Sequence, residues 1–425
     1  MPKTILRNLF LLAAATIVGC GAPSEIGHEV AALTPTAPAH FKVAVVMCKF
    51  SDRTEEPFTV DKMREHFGPG GNYGLDRYFR DISYDRMDLT GTVVKGWYTI
   101  PLSYATAQTI RRPGIFECAT AAQKDIYFPD YDGIIAVMNV NVDSGSAGTW
   151  TNWALNGVAK NYPVMNTSPS ALGNTFDGHE MGHMLGLNHS FSRNSDGTTT
   201  EYGDPFDIMS AFSVYYDLTP AAPAGVDTFA AIGPEMNAPY RERLGWLRGS
   251  EIQTLSNRGS TPTLSTVVHL SALEGAGPGV REVKIPIGTD PSHYLTLEHR
   301  VQSYWQRQFP AHTVLLHEVR ADQTSYLVNS NNWHGTQPGE SFADATDGVS
   351  ISVAANAGGS ADVTVSVACV DPSDDQQGDG PLCGHHLNAC GVSVHSFCDD
   401  GQVCLANHCK TLPPRPCAPK GQNCK

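Results

Sequence analysis

The stretch His179-Glu-Met-Gly-His-Met-Leu-Gly-Leu-Asn-His189 decides the structure and the chemistry that we expect of this chain. On a helix, His179 and His183 are one turn apart and face the same space, so both imidazoles can bind one metal ion. Glu180 points in a different direction and can reach a water molecule on the metal as a general base. Gly186 allows a left-handed turn that ends the helix and returns His189 as a third ligand. Three nitrogen ligands leave one coordination position open, as a catalytic zinc site requires.

The motif is specific, because five of its eleven positions are fixed. A match by chance is expected on the order of once in ten thousand chains of this kind. The alternative interpretation is that the three histidines are ordinary core or surface residues, which is the commonest role of a single histidine. That interpretation leaves Glu180 and Gly186 without an explanation, so a metal site is favoured.

The extended motif resembles that of the metzincin zinc peptidases. A second metzincin signature, a tight turn that carries a Met beneath the metal ligands, is matched by Tyr202-Gly-Asp-Pro-Phe-Asp-Ile-Met-Ser210. Met209 is the candidate residue of this turn, and ordinary core packing is its alternative role. The resemblance implies one catalytic Zn²⁺ and hydrolysis of internal peptide bonds, with Glu180 as the general base.

Within the metzincins, the chain looks most similar to the gametolysin family, to which the immune inhibitor A-like secreted peptidases are related. The third ligand can be an Asp in those relatives, whereas this chain has His189, which places it nearer to the gametolysin side. The resemblance extends from Phe41 to about Val367. Its weaker parts are the segments Phe50-Ser-Asp52, Tyr131-Asp-Gly-Ile134 and Arg243-Leu-Gly-Trp-Leu247.

Two features depart from the metzincin pattern. Some metzincins have a Tyr two residues after the turn Met, but Ala211 occupies that position here. Tyr215 and Tyr216 are only speculative substitutes for it. The sequence before Phe41 offers no Cys-containing propeptide, so latency through a cysteine switch has no support.

An extended peptide substrate can add to an exposed strand edge beside such a site. We expect this edge between Gly148 and Pro163, where Trp150, Trp153 and Tyr162 are candidates for lining substrate pockets. An aromatic core is at least as good an interpretation of the same three residues.

The first twenty residues are typical of an export signal. Lys3 and Arg7 precede an apolar run, Leu9–Val18, that is too short to cross a bilayer. The segment Ile17-Val-Gly-Cys20 resembles a bacterial lipobox, after which Cys20 becomes the lipid-anchored first residue of the mature protein. An ordinary secretory signal is the alternative. Both interpretations export the chain, and the first places it at the bacterial cell envelope, anchored or later released.

Composition limits the partners. The 425 residues, 41% hydrophobic and 17% charged, are typical of a packed soluble protein of more than one domain. Lys+Arg 29 against Asp+Glu 43 gives a formal net charge of −14, and no stretch concentrates the basic residues, so nucleic acid is not expected as a partner. No second apolar stretch is long enough for a transmembrane helix. The expected partners are extracellular protein or peptide substrates, and the membrane is reached only through the N-terminal anchor.

Cysteine usage indicates an oxidising compartment. Eight of the eleven Cys lie in the last 57 residues, a density typical of a disulfide-stapled module. With Cys20 set aside for the lipid, Cys48 and Cys118 remain and can pair with each other. Eight Cys allow 105 connectivities, among which the sequence does not choose. The eight candidates are Cys369, Cys383, Cys390, Cys398, Cys404, Cys409, Cys417 and Cys424.

Two further metal sites are weaker hypotheses. A zinc site is one alternative for part of the tail, although thiolates in an oxidising compartment usually become disulfides. Its ligands would be Cys398, Cys404, His408 and Cys409. Bound Ca²⁺ is conceivable at the turns Ser195-Asp-Gly197 and Asp204, but solvated loop carboxylates explain them better.

Periodicity then predicts the organisation of the chain. Lys42–Phe50 and Gly133–Val140 are predicted to be buried strands, and helices are predicted around residues 73–83 and 168–187. After residue 250, short alternating segments predict an antiparallel sandwich. The fold class expected is α+β, a metzincin-like catalytic domain with a mixed sheet and an active-site helix, then a β-sandwich-like domain and a small disulfide-rich tail. The expected parts are a signal peptide (1–19), an anchored flexible linker (20–40), a peptidase domain (41–249), the sandwich (250–368) and the Cys-rich module (369–425).

The expected function is that of a secreted or surface-anchored zinc endopeptidase. The alternative is a catalytically inactive surface-binding lipoprotein that retains a peptidase-like scaffold. The intact Glu180 favours the enzyme, because a degenerate enzyme tends to lose its base or a ligand.

Overall fold

The computed structural model of the chain describes most residues between 37 and 369 and four short strands beyond them. The described ranges are 37–71, 73–213, 232–257, 263–275, 277–287, 290–329, 334–354, 359–369, 384–387, 393–396, 402–405 and 408–411. Cys20, Tyr215 and Tyr216 lie outside these ranges, so the predictions for them remain predictions. No helix in the described ranges is long and apolar enough to cross a membrane.

A mixed five-stranded sheet is the first layer of the fold. Strands β2, β1, β3 and β5 lie side by side in parallel, and β4 pairs antiparallel with β5 at the edge. The interior strands β1 and β3 are almost wholly buried, as their continuous apolar sequences predicted. The five strands are β1 (Val43–Lys49), β2 (Val93–Thr99), β3 (Gly133–Met138), β4 (Gly145–Leu155) and β5 (Val158–Thr167).

Helices cover both faces of this sheet. Successive residues of β1 point to opposite faces, so Val45 packs in the core that α1, α2 and α5 share, and Val46 packs in the core of α3 and α4. The helices are α1 (Val60–Phe67), α2 (Leu75–Ser83), α3 (Tyr104–Ala107), α4 (Ile115–Ala122), α5 (Asn174–Met184) and α6 (Ala238–Arg243). Three 3₁₀ helices span Phe128–Asp130, Ile208–Ser213 and Gly249–Glu251.

A disulfide joins Cys48 of β1 to Cys118 of α4, with their Cα atoms 5.9 Å apart. This is the pair that the sequence offered as a possibility. The bond closes a loop of 70 residues, which stabilises the folded state by roughly 4 kcal/mol in the chain-entropy account. It fixes α4 to the side of the sheet that faces away from α5.

Two further sheets enclose a third hydrophobic core, which includes Leu270, Leu297 and Val365. A seven-stranded sheet has the order β7-β6-β13-β12-β11-β10-β8, and a four-stranded sheet has the order β14-β15-β16-β9. Two facing sheets over one core form a sandwich-like layer pair. The strands are β6 (Phe191–Arg193), β7 (Thr199–Glu201), β8 (Ile252–Thr254), β9 (Thr263–Ser271), β10 (Glu282–Pro286), β11 (Tyr294–Val301), β12 (His312–Val319), β13 (Ser325–Leu327), β14 (Ser341–Asp344), β15 (Val349–Val353) and β16 (Ser360–Ala368).

The hairpin β6–β7 connects the two halves of the chain. It follows α5 in sequence, yet β6 pairs in parallel with β13 of the seven-stranded sheet. This sheet therefore takes strands from both sides of residue 250. The segment that leaves α5 is held by the second half of the chain.

The predicted mixture of helices and strands is confirmed. The strands predicted at Lys42–Phe50 and Gly133–Val140 are β1 and β3, and the predicted helices are α2 and α5. In the tail, β17 (Gly384–Leu387) pairs with β18 (Ser393–Ser396), and β19 (Gln402–Leu405) pairs with β20 (His408–Thr411). Cys369 is disulfide-bonded. The side chains of the other seven tail Cys lie outside the described part of the structure.

Candidate metal centre

Helix α5 ends in a way that turns the chain back toward its own side chains. The amide of Leu187 donates to the carbonyl oxygen of Gly182 at 3.0 Å, and the amide of Gly186 donates to that of His183 at 2.9 Å. Gly186 has φ of +88°. This pair of bonds with a left-handed glycine is the Schellman ending of a helix. The reversal brings His189 back to the face of α5 that carries the first two histidines.

The three imidazoles of His179, His183 and His189 converge. One ring nitrogen from each lies within 4.8 Å of those of the other two, and this is the sole such group of three or more His, Cys, Asp or Glu among the described residues. The Nε2 atoms of His179 and His183 are 3.1 Å apart. Two nitrogens on one tetrahedral zinc ion are separated by about 3.3 Å, so the spacing of this pair fits that ion.

Hydrogen bonds at Nδ1 set the tautomer of each ring. In every case Nδ1 faces an oxygen that only accepts, so Nδ1 carries the proton and Nε2 keeps its lone pair. The contacts are His179 to the Ile208 carbonyl at 2.9 Å, His183 to the Leu187 carbonyl at 2.8 Å and His189 to Glu201 Oε1 at 2.6 Å. All three lone pairs are thereby presented to the same space, as a metal ion requires.

The three rings are neutral at physiological pH. Burial, with the charge of nearby His189, lowers the pKa of His179 to about 3. Burial also places the pKa of His183 well below its ordinary value. It lowers the pKa of His189 as well, although the hydrogen bond that His189 Nδ1 donates to Glu201 acts in the opposite direction. Neutral imidazole is the form that binds metal, so the donor set fits zinc without any proton having to leave.

The 3₁₀ helix Ile208–Ser213 lies directly beneath α5 because two glycines leave room for it. A Cβ added at Gly182 would collide with Met209 Sδ, and one added at Gly178 would lie 2.8 Å from Ile208 Cδ1. Met209 is fully buried. The close approach aligns the Ile208 carbonyl with His179. Met209 therefore packs against α5 at Gly182, one residue before His183.

Glu180 is buried beside the histidines, with its carboxylate against the start of β4. The backbone amide of Ser146 donates to Glu180 Oε2. Burial raises the pKa of Glu180 to about 7, although the bond from Ser146 and the positive charge of Arg112 act to lower it. A carboxyl group whose pKa lies near neutrality can both take up and release a proton there. Glu180 thus follows His179 directly on α5, is buried against Ser146, and has a pKa near neutrality.

Four residues at the centre were missed by the sequence analysis: Arg112, Ser146, Glu201 and Tyr202. The hydroxyl of Tyr202 lies 3.2 Å from His189 Nε2, on the side of the ring that faces the centre. Glu201 and Tyr202 reach His189 because the β6–β7 hairpin folds back, with Glu201 opposite Phe191. The Asp-Gly pair at 196–197 is a hairpin signal that could have predicted this return. No local signal indicates Arg112 or Ser146.

The aromatic residues proposed for substrate pockets lie elsewhere. Tyr162 is fully buried in the core on the α4 side of the sheet. Trp153 stacks on Phe116 with ring centroids 5.8 Å apart, and Trp150 lies 4.8 Å from Trp153. These contacts support the aromatic-core interpretation. The edge itself is β4, the outer strand of the hairpin that it forms with β5.

The two acidic turns considered for Ca²⁺ have other partners. Asp204 is fully buried and lies 3.0 Å from His317 Nε2 of β12. Asp196 Oδ1 accepts hydrogen bonds from the amide of Thr198, at 3.0 Å, and from its hydroxyl, at 2.6 Å. Both carboxylates are therefore explained by contacts within the chain.

No protein-family model matches this chain, and a search of the curated proteins finds no match either. The function is therefore inferred from the chain's own residues and their geometry.

Proposed function

We propose that this chain is a zinc-dependent endopeptidase of the metzincin type, most similar to the gametolysin family, exported and anchored through Cys20 at the bacterial envelope. The observation that carries the proposal is the convergence of three neutral imidazoles, each with Nε2 directed at one point, beside a buried carboxyl group. Three such nitrogens suit a catalytic zinc site with one position left for water or substrate. The sequence resemblance supports the same class.

The chemistry divides between the ion and Glu180. A zinc ion bound by the three histidines would supply Lewis acidity, which makes a water molecule acidic near neutral pH and polarises a peptide carbonyl. Glu180 takes a proton from the attacking water and passes it to the nitrogen of the departing amine. Its pKa of about 7 suits both transfers at neutral pH. The Tyr202 hydroxyl, 3.2 Å from His189 Nε2, adds a hydrogen-bond donor beside the centre.

The open edge of β4 supports a polypeptide as the substrate. β4 is the outermost strand of its sheet, and its first residues, Gly145 and Ser146, lie against Glu180. Unpaired backbone groups on such an edge can bind an extended peptide as an additional strand. A peptide bound along β4 would pass the metal centre in an extended conformation, as an endopeptidase requires.

The test compares the mature protein with Glu180→Ala and Glu180→Gln. We expect all three to bind one zinc ion per chain by elemental analysis. Cleavage of a denatured protein by the two variants should fall by about a hundredfold to ten-thousandfold, the usual contribution of a general base. Glu117→Gln is the matched control, because Glu117 lies on α4 at the other side of the sheet. A chelator should stop cleavage by the wild type, and added zinc should restore it.

Equal cleavage by the wild type and Glu180→Ala would show that Glu180 is not the base. Binding of zinc without cleavage of any protein would favour the inactive surface-binding lipoprotein instead.

A further inference from the structure

Arg112 is a charged residue at the metal centre that the chemistry described so far does not use. It lies in the loop between α3 and α4, and its backbone has φ of +51°. A Cβ built on Gly145 would lie 3.2 Å from Arg112 Nε and 3.4 Å from Glu180 Oε1. The guanidinium and the carboxylate therefore approach the same point at the start of β4. Gly145, with φ of +148°, leaves that point without a side chain.

The loop that carries Arg112 is fixed by a buried amide. Asn166 of β5 is fully buried, and its Nδ2 donates to the carbonyl of Pro113 at 3.1 Å. Its Oδ1 accepts the amide of Gly145 at 3.0 Å. One side chain thus joins the loop of Arg112 to the first residue of β4. The position of the guanidinium beside Glu180 is built into the fold.

The charge of Arg112 acts on the open side of the centre. Arg112 Nε and Glu180 Oε1 both lie next to Gly145, so the positive charge stands beside the carboxylate at the start of β4. A cation placed beside three neutral rings makes this side of the site electropositive. A bound metal ion would make it more so. An anionic group of a substrate is therefore favoured next to Arg112.

We propose, on the basis of the proposed function, that Arg112 binds a substrate carboxylate on the leaving-group side of the scissile bond. Glu180 must reach the departing nitrogen to deliver its proton, so the leaving group lies on the Glu180 side of the centre. Arg112 lies on that same side. A guanidinium binds a carboxylate through two parallel hydrogen bonds, and its five donors allow it to keep other acceptors as well.

Two sources can supply this carboxylate: an Asp or Glu side chain directly after the scissile bond, or the C-terminus of a short leaving peptide. In the first case the enzyme is an endopeptidase that cleaves before acidic residues. In the second it releases short C-terminal fragments. The two share one chemistry, and peptides that differ in one group distinguish them.

The experiment uses the zinc-loaded mature protein and peptides that differ only in the residue after the scissile bond, which is Glu, Gln or Lys. We expect kcat/KM to be about tenfold to a hundredfold higher for Glu than for Gln, as hydrogen bonds to charged groups contribute. Arg112→Gln should lose this ratio, and Arg112→Lys should keep part of it. Arg111→Gln is the matched control, since Arg111 lies in the same loop and pairs with Asp143 at 3.7 Å.

A second arm measures binding without catalysis. Calorimetry with zinc-loaded Glu180→Ala should show tighter binding of the Glu peptide than of the Gln peptide, and the added Arg112→Gln change should remove the difference. A third arm compares Gln peptides whose scissile bond lies close to the C-terminus and whose C-terminus is either free or amidated. A preference confined to the free C-terminus assigns Arg112 to that carboxylate.

The outcomes separate the two proposals. Cleavage of all peptides with equal kcat/KM, unchanged in Arg112→Gln, would overturn the role of Arg112 and leave the peptidase intact. Cleavage of none would overturn the peptidase. The binding arm then still decides on Arg112, because equal binding of the Glu and Gln peptides would overturn it as well.

Discussion

The histidines of the metal centre and the single buried His317 contact the same segment, Tyr202–Ser213, and have opposite electrostatics. At the metal centre, burial lowers the pKa of His179 to about 3, and Nε2 keeps its lone pair. At the junction with β12, burial also acts to lower the pKa of His317, but the charge and hydrogen bond of Asp204 raise it above the ordinary value. His317 Nε2 contacts Asp204 Oδ2 at 3.0 Å. Burial alone therefore does not decide the charge of a histidine.

The difference shows how one fold assigns two roles to one residue type. His179 has a carbonyl at Nδ1 and, in the part of the chain that the structure describes, no carboxylate bound to Nε2, so it is available to a cation. His317 has a carboxylate at Nε2, which favours the charged form of the ring. Asp207, next to this pair, has its pKa raised to about 7 by burial and by the charge of Asp204. We therefore expect the metal centre to contribute to zinc binding, and the His317–Asp204 pair to contribute to the stability of the folded chain.

The largest effect is expected from His183→Ala, which removes one of the three proposed zinc ligands. We expect zinc binding to be lost, well beyond the roughly hundredfold weakening that loss of an outer-shell partner causes. The stability of the metal-free protein should fall by only about 1 kcal/mol, the value of one hydrogen bond. Competition with a zinc-sensitive dye and urea unfolding measure the two effects. His269→Ala, at a largely exposed histidine, is the control and should change neither. Retained zinc affinity would show that the ring is not a ligand.

The junction is tested by Asp204→Ala, which leaves His317 buried without its partner. Both side chains are fully buried, so we expect a loss of about 3–5 kcal/mol in the free energy of unfolding. Asp362→Ala is a matched control, because the His269–Asp362 pair is exposed and such pairs contribute about 0–1 kcal/mol. Equal losses from the two variants would contradict the assignment of a structural ion pair.

The pH dependence of the Asp204→Ala loss has a definite sign. Because the folded-state pKa of His317 is raised, its contribution is fully present below the unfolded pKa of about 6.5 and is lost as pH rises through the folded value. In Asp204→Ala, burial lowers the pKa of His317, so acid destabilises the variant further. The difference between wild type and variant should therefore be largest at acidic pH.

The smallest effect is expected from changing the contact between His189 and Glu201. Glu201 gives this ring a carboxylate at Nδ1, where His179 and His183 have carbonyls. Glu201→Gln should weaken zinc binding about tenfold to a hundredfold, because the outer carboxylate orients the ring and raises its basicity. Asp196→Asn, in the same hairpin, should have no effect. Unchanged affinity in Glu201→Gln would show that the contact is incidental.

The strands and helices that the sequence predicted well are those with uniform local patterns. β1 and β3 are runs of apolar residues, and α2 carries its apolar residues at helical spacing. The β6–β7 hairpin was not foreseen as part of the sheet of the second half, because its pairing with β13 depends on residues far along the chain. The aromatic residues near β4 were ambiguous for a similar reason. Their composition suits a core and a pocket equally, and only the face of the sheet decides.

Helical periodicity and one left-handed glycine place the three histidines, Glu180 and the return at Gly186 within eleven residues, so local spacing predicts them. The groups that surround them depend on how distant parts of the chain pack together. Arg112, Ser146 and Glu201 reach the centre across separate elements, and Asp204 meets a partner 113 residues away. Contacts at such separations depend on how sheets and loops pack. The local spacing of residues does not predict that packing. The acidity of Glu180 and the charge of His317 follow from that packing.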